Sequence, residues 1–168
     1  MTTRALDGRF QDLLDAHRKI LYKICNSYCQ NRDDRDDLAQ EIVLHLWRAF
    51  ETFDDRFKFS TWMYRISLNV AISFYRRESI RARHVISDET RLLEAVDEQE
   101  SVPEEVRILY ELIAGLDPLN KALMLLYLDG YSHQSIADVL GITKTNVATK
   151  IGRLKLGMKQ KMANTGHL

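Results

Sequence analysis

Gly141 limits what this chain can fold into more than any other residue. It separates two runs of helical periodicity: Ile136, Ala137, Val139 and Leu140 before it, and Val147, Ile151 and Leu154 after it. A glycine supplies the φ-positive turn there, and Ile142 plugs the angle between the two helices. Ser132 and Thr143 stand where helix caps are needed. Ala137 is small where the helices cross closely. Small residue, glycine turn and apolar plug, in that order, form a helix-turn-helix pattern from Ser132 to Lys155.

The second of these helices carries a face unlike its apolar one. Opposite Val147 and Ile151 lie Thr145, Thr149 and Arg153, flanked by Asn146, Ala148 and Lys150. Lys144 opens the helix, and Lys155 sits near the rim. These side-chain types reach base edges and phosphates from a major groove. The plain alternative is a helical hairpin with a solvated face. Charge argues against it. Residues 118–168 hold 7 basic and 2 acidic side chains, whereas residues 83–117 hold 3 and 10, so a zero net charge hides a basic module behind an acidic stretch. Gly152 and Gly157 fit poorly, since each weakens a helix by roughly 1 kcal/mol relative to alanine. Either Gly152 permits close approach to DNA or the helix frays there.

The rest of the chain reads as helices too. Two prolines and seven glycines are too few for a turn-rich β fold. One helix is expected over Phe10–Tyr28. A second runs from near Asp36 to Phe50, with Leu38, Ile42, Leu46 and Phe50 inward and Ala39 and Val43 widening the stripe. A third, capped by Ser60 or Thr61, runs to about Arg81, with Met63, Ile66, Val70 and Phe74 inward. Acidic residues gather before Pro103, and further helices cover Val106–Leu116 and Leu119–Leu128, the latter capped by Asp117. The expected architecture is all-α. Two small helical domains, residues 1–84 and 106–168, flank an acidic linker over 85–105, helical in part around Thr90–Val96.

Several classes are excluded or disfavoured. There is no signal-peptide core and no apolar run of about 18 residues, so the expectation is a cytoplasmic chain without membrane insertion. Cys25 and Cys29 are poor disulfide partners and lack further ligands, so packed free thiols are expected, with no metal and no cofactor. The five histidines are scattered and no nucleophile–base pair or phosphate loop stands out, so an enzyme is the weakest option.

Two surfaces of the N-terminal half suggest partners. Asp37, Gln40, Glu41, Leu44 and Arg48 share a helix face away from the apolar stripe, an acid-and-leucine strip of the kind that docks proteins. Trp47 either packs internally or borders that strip. Phe53, Phe57, Phe59, Trp62, Tyr64 and Tyr75 interleave with Arg56, Lys58, Arg65, Arg76 and Arg77. Aromatic stacking with basic side chains is how single-stranded DNA is held. About two of the six aromatics are expected to serve such binding and the others the core. Arg76, Arg77 and Arg81 suit phosphate contacts.

Read together, these segments resemble a known family. Arg35-Asp36-Asp37-Leu38-Ala39-Gln40-Glu41-Ile42, then Leu46-Trp47-Arg48-Ala49-Phe50, resembles region 2 of bacterial sigma factors. Phe59-Ser60-Thr61-Trp62-Met63-Tyr64-Arg65-Ile66 through Asn69-Val70-Ala71 to Arg76-Arg77 continues that likeness. Leu116-Asp117-Pro118 to Tyr127, and Gly130-Tyr131-Ser132 to Leu140-Gly141-Ile142, look like region 4. Two regions in order on a short chain resemble the extracytoplasmic-function (ECF) group of the sigma-70 family. The resemblance implies a docking partner, the clamp helices of the RNA polymerase largest subunit, and promoter DNA as a second. It implies a pocket for an unstacked minus-ten base at Phe53, with Ala49, Ile66 and Asn69 around it. It implies that the helix-turn-helix reads the minus-thirty-five element, and an anti-sigma factor is a further candidate partner. Two rivals stay open on the residues alone: a stand-alone helix-turn-helix regulator, and an adaptor using the helix face only for protein binding.

Overall fold

A computed structural model of the chain describes residues 3–84, 103–164 and 166. Among these the chain is all-α, with eight helices. It divides into two compact units, Met1–Arg81 and Ala82–Leu168. The expected acidic linker lies outside the described residues except at its end. There Glu104 and Glu105 already form the first turn of a helix, while the partial helix expected around Thr90–Val96 lies wholly outside. Among the described residues no helix is long and apolar enough to cross a membrane.

The first unit holds α1 (Thr3–Ala16), α2 (Arg18–Tyr28), α3 (Arg32–Phe50) and α4 (Phe59–His84). The single helix expected over Phe10–Tyr28 is two, broken at His17 (φ −115°, ψ 14°). The His17 ring packs on Phe59 with centroids 5.0 Å apart, and its Nδ1 lies 2.8 Å from the Leu13 carbonyl oxygen. A tertiary contact thus sets the break, so apolar periodicity runs through it unmarked. α3 starts four residues before the expected Asp36. Asn31 caps it, its side chain accepting the Asp34 N–H at 2.8 Å, and Asp33 and Asp34 complement the helix dipole. The polar stretch that reads as a break is the cap and first turn.

α2 packs along α3, and Ile24, Leu38, Ile42 and Leu46 are fully buried between them. Phe50 closes the α3 stripe as expected, but Ala39 and Val43 are only half-buried. α4 begins at Phe59, so Ser60 and Thr61 lie inside its first turn rather than capping it. Its buried face holds Met63, Tyr64, Ser67, Leu68, Val70, Ala71 and Phe74. Ile66, expected inward, is only half-buried, at the edge of that face. Both cysteines are buried and neither is in a disulfide.

The second unit holds α5 (Glu104–Ala114), α6 (Pro118–Leu128), α7 (His133–Leu140) and α8 (Lys144–Asn164). α6 is the central helix. It packs on α5, α7 and α8, and Ala122 to Leu126 are all buried. The caps are the expected ones. Asp117 accepts the Asn120 N–H at 3.2 Å, Ser132 the Ser135 N–H at 3.1 Å, and Thr143 the Asn146 N–H at 3.1 Å. Gly141 is left-handed (φ 68°, ψ 33°), and the N–H groups of Gly141 and Ile142 both donate to the Ala137 carbonyl, at 2.9 and 3.2 Å. α8 runs unbroken through Gly152 and Gly157, so fraying at Gly152 is not what the structure shows.

Burial pushes the Cys25 thiol up from 9.0 to about 12, with Asp36 adding to the shift. The unfolded thiol ionises first, so the stability contributed by the neutral buried form should fall as pH rises from 9.0 toward about 12. Iodoacetamide at pH 8 should leave Cys25 of the folded chain unmodified and alkylate it promptly in urea. Equal rates in both, by mass spectrometry, would refute this burial.

Candidate functional site

α8 contains six lysines and arginines and no acidic residue, so nothing along it repels a polyanion. At 100° per residue, Thr145, Ala148, Thr149 and Gly152 fall within an arc of about 100°. Val147, Ile151 and Met158 lie opposite and are buried. Lys144, Thr145, Asn146, Ala148, Thr149 and Arg153 are all exposed, and Lys150 is half-buried at the edge. Lys155 is tied back onto α6 instead, donating to the Tyr127 hydroxyl at 3.2 Å. The helix-turn-helix thus presents one exposed face of small polar, basic and amide side chains.

On α3, Asp37, Gln40, Glu41, Leu44 and Arg48 also fall within about 100°. Asp37, Gln40, Leu44 and Arg48 are exposed, with Leu44 at 45%, while Glu41 is half-buried. Beside this strip runs an open groove of about 650 Å³, mostly apolar, between α3 and α1. Ala39, Val43 and Trp47 line it from α3, and Phe10 and Leu14 from α1. That explains why Ala39 and Val43 are not core residues. Trp47 does both things open to it in sequence. Its ring meets Phe10 edge-on at 5.2 Å, and it also lines the groove.

The six aromatic candidates separate by burial. Tyr64 and Phe59 belong to the core, Phe53, Trp62 and Tyr75 are half-buried, and Phe57 is 67% exposed. Phe53 lies 5.0 Å from Trp62, 5.6 Å from Phe59 and 6.0 Å from Phe50, nearly parallel to the last. The Ala49 carbonyl accepts the N–H of Thr52 at 3.1 Å and its hydroxyl at 2.8 Å, turning the chain out of α3 toward Phe53. On α4 Phe53 thus meets two rings, Phe59 at its start and Trp62 one turn on. Ile66 and Asn69 continue that same face one and two turns on, within about 60° of Trp62. Asn69, Arg65 and Arg76 are exposed there.

One contact crosses two sequence-predicted sets. Arg77 donates to both carboxylate oxygens of Glu41, at 2.7 and 2.8 Å, and its guanidinium lies 5.7 Å over the Phe74 ring. A residue placed among the phosphate contacts is thus paired with one placed on the docking strip. At 54% and 29% side-chain exposure the pair adds little stability. It links α3 to α4.

Phe57 is the residue that composition alone did not single out. The Phe57 N–H donates to the Asp54 carbonyl at 3.0 Å, closing a turn. Arg56 grips the Asp54 carboxylate, with Nε at 2.8 Å, and holds that carboxyl below its usual range. Asp55 pairs with Arg9 of α1. The turn is therefore braced from both sides with an aromatic at its tip. The legible signal was local: Phe57 is flanked by Arg56 and Lys58, whereas Phe53 and Phe59 are the ends that pack.

A helix-turn-helix with an acid-free second helix, on the same chain as an aromatic and basic helical unit, has the make-up of a DNA-binding transcription factor. The chain matches sigma-70 region 2 over residues 13–80 and sigma-70 region 4 over residues 106–156. It belongs to the sigma-70 family of RNA polymerase sigma factors, in the ECF group. It is 24% identical over 152 residues to the ECF RNA polymerase sigma factor SigX of Bacillus subtilis, covering 86% of this chain and 78% of that one. It is 24% identical to SigW of the same organism, over 91% and 88%. The sigma factor RpoE of Bartonella quintana, solved with the anti-sigma factor NepR, shares the fold with a TM-score of 0.71 at 18% identity, over 90% of this chain and 95% of that one.

Both tryptophans, Trp47 and Trp62, lie in the first unit, so tryptophan fluorescence follows its unfolding alone. Phe50→Ala should destabilise that unit by about 3–5 kcal/mol in a urea titration, the usual cost of removing a buried phenylalanine. Phe57→Ala should change it by no more than about 0.5 kcal/mol, as for exposed positions. A large cost at Phe57 would show that it belongs to the core.

Proposed function

We propose that this ECF-type sigma factor divides promoter recognition and opening between its two units, joined by an acidic linker over residues 85–105. α3 docks on core RNA polymerase, on the clamp helices of the largest subunit, through Asp37, Gln40, Glu41, Leu44 and Arg48. The α4 face and the loop before it hold the melted minus-ten element. Phe53, Ala49 and Ile66 receive an unstacked base, Asn69 reads it with an amide that both donates and accepts, and Arg76 and Arg77 contact phosphates. α8 reads the minus-thirty-five element through Lys144, Thr145, Asn146, Ala148, Thr149, Lys150 and Arg153. Nucleotide addition belongs to the core enzyme, and sigma factors are initiation factors rather than enzymes. The site of action is the cytoplasm, where polymerase and DNA meet. As NepR binds the Bartonella quintana RpoE, an anti-sigma factor is a partner to look for here.

The observation that carries this reading is the exposed strip of α3 beside its apolar groove, on the same chain as the helix-turn-helix. A stand-alone regulator needs only the latter, and leaves a 45%-exposed leucine beside an open apolar groove without a use. The test is run-off transcription from a promoter library with purified chain and core polymerase. Transcripts that depend on the chain are expected. Their absence from every promoter, with the chain demonstrably bound to core, would overturn the reading.

A docking variant should avoid Glu41, because its loss also releases Arg77. Leu44→Lys is the cleaner probe. It should weaken association with core about tenfold or more. Thermal stability of the free chain should be nearly unchanged. Wild-type association would move the docking face elsewhere.

A further inference from the structure

Gly152 stands in the interior of α8, where only proline is a poorer choice. Among the described residues nothing calls for it. Its backbone is not in the left-handed region, which among the described glycines is occupied by Gly130, Gly141 and Gly166. A Cβ built on it meets no atom within 4 Å. The helix does not end near it but continues to Asn164. A residue that weakens its helix and that no contact among the described residues requires points to a constraint from outside the chain.

Its position says what that constraint is. Gly152 completes the arc of Thr145, Ala148 and Thr149, opposite the buried Val147 and Ile151. It lies eight residues beyond Lys144, or about 12 Å along the axis. The first turns of a reading helix meet base edges. About 12 Å further on, close to the width of the major groove, the helix meets the groove wall. Arg153, exposed and adjacent, suits a phosphate there.

We infer that the sugar–phosphate backbone of promoter DNA packs directly on the α8 main chain at Gly152, and that any side chain there holds the helix out of the groove. This rests on the reading of α8 as the minus-thirty-five helix. It makes Gly152 a positioning residue: it sets the depth of insertion for every side chain before it on that face. Gly157 supplies the comparison. It too sits in α8 with nothing within 4 Å of a built Cβ, yet it lies about 140° around the helix from Gly152.

The experiment uses the full chain with core polymerase and the linear promoter duplex that best supports run-off transcription. Promoter affinity is measured by filter binding, and thermal unfolding on the free chain. Gly152→Ala should raise the unfolding midpoint yet weaken promoter binding about tenfold, as overpacking a close contact does. Gly152→Leu should weaken it further. Gly157→Ala should raise the midpoint and leave affinity unchanged. Opposite signs for stability and binding at position 152, but not at 157, are what a merely tolerated glycine would not give. A Gly152→Ala chain with wild-type affinity would overturn the inference. Arg153→Ala separates the two levels: if it weakens binding while Gly152→Ala does not, only the inference fails. If neither weakens binding, the reading of α8 fails with it.

Discussion

The first unit depends on the ring of Phe50. It is the last residue of α3, and four aromatic rings meet it: Phe10 from α1 at 5.1 Å, Phe53 from the loop at 6.0 Å, and Phe59 and Trp62 from α4 at 6.5 and 6.2 Å. Such pairs contribute about 0.5–1.5 kcal/mol each beyond burial. Their larger effect is geometric. A loop of eight residues with no helix of its own is fixed against three helices, so the half-buried Phe53 and Trp62 keep one edge at the surface and Phe57 is pointed outward. The base-capture role proposed for this loop calls for such rigidity beforehand, since any ordering on binding subtracts from the affinity.

The second unit solves a different problem with local chemistry. α5, α6 and α7 are short, and each of α6, α7 and α8 begins at a side-chain cap that satisfies an otherwise orphaned N–H. Gly141 then turns the chain sharply enough for α8 to cross α7 with its apolar face inward. α8 itself carries no acidic residue, and which of its faces is exposed is set by the core behind it. Neither unit needs to bind DNA tightly alone. Core polymerase supplies a further anchor, and linked sites multiply.

The two units were unequally legible in the sequence. Caps, turn glycine and apolar plug of the helix-turn-helix lie within a few residues of one another, so local rules suffice, and α6 to α8 appear where those rules put them. The first unit departs from expectation wherever a distant residue decides. The break at His17 is held by Phe59, forty-two positions away, and neither glycine nor proline announces it. The outward phase of Ile66 follows from α4 burying Tyr64, Ser67 and Leu68, a face that a mixed aromatic and polar helix does not advertise. The pairing of Glu41 with Arg77 joins two motifs that sequence assigned to separate partners. Phe57 was visible as an aromatic, but not as the exposed one.

The central claim is that one chain reads the promoter with two units doing separate work. Permanganate reactivity of unpaired thymines in the minus-ten element tests it most directly, in complexes of the full chain, core polymerase and a linear promoter. Thymines should react only when chain and core are both present. With Asn69→Ala, protection over the minus-thirty-five element should persist while that reactivity is lost. Full reactivity with Asn69→Ala, or protection lost together with it, would contradict the division of labour.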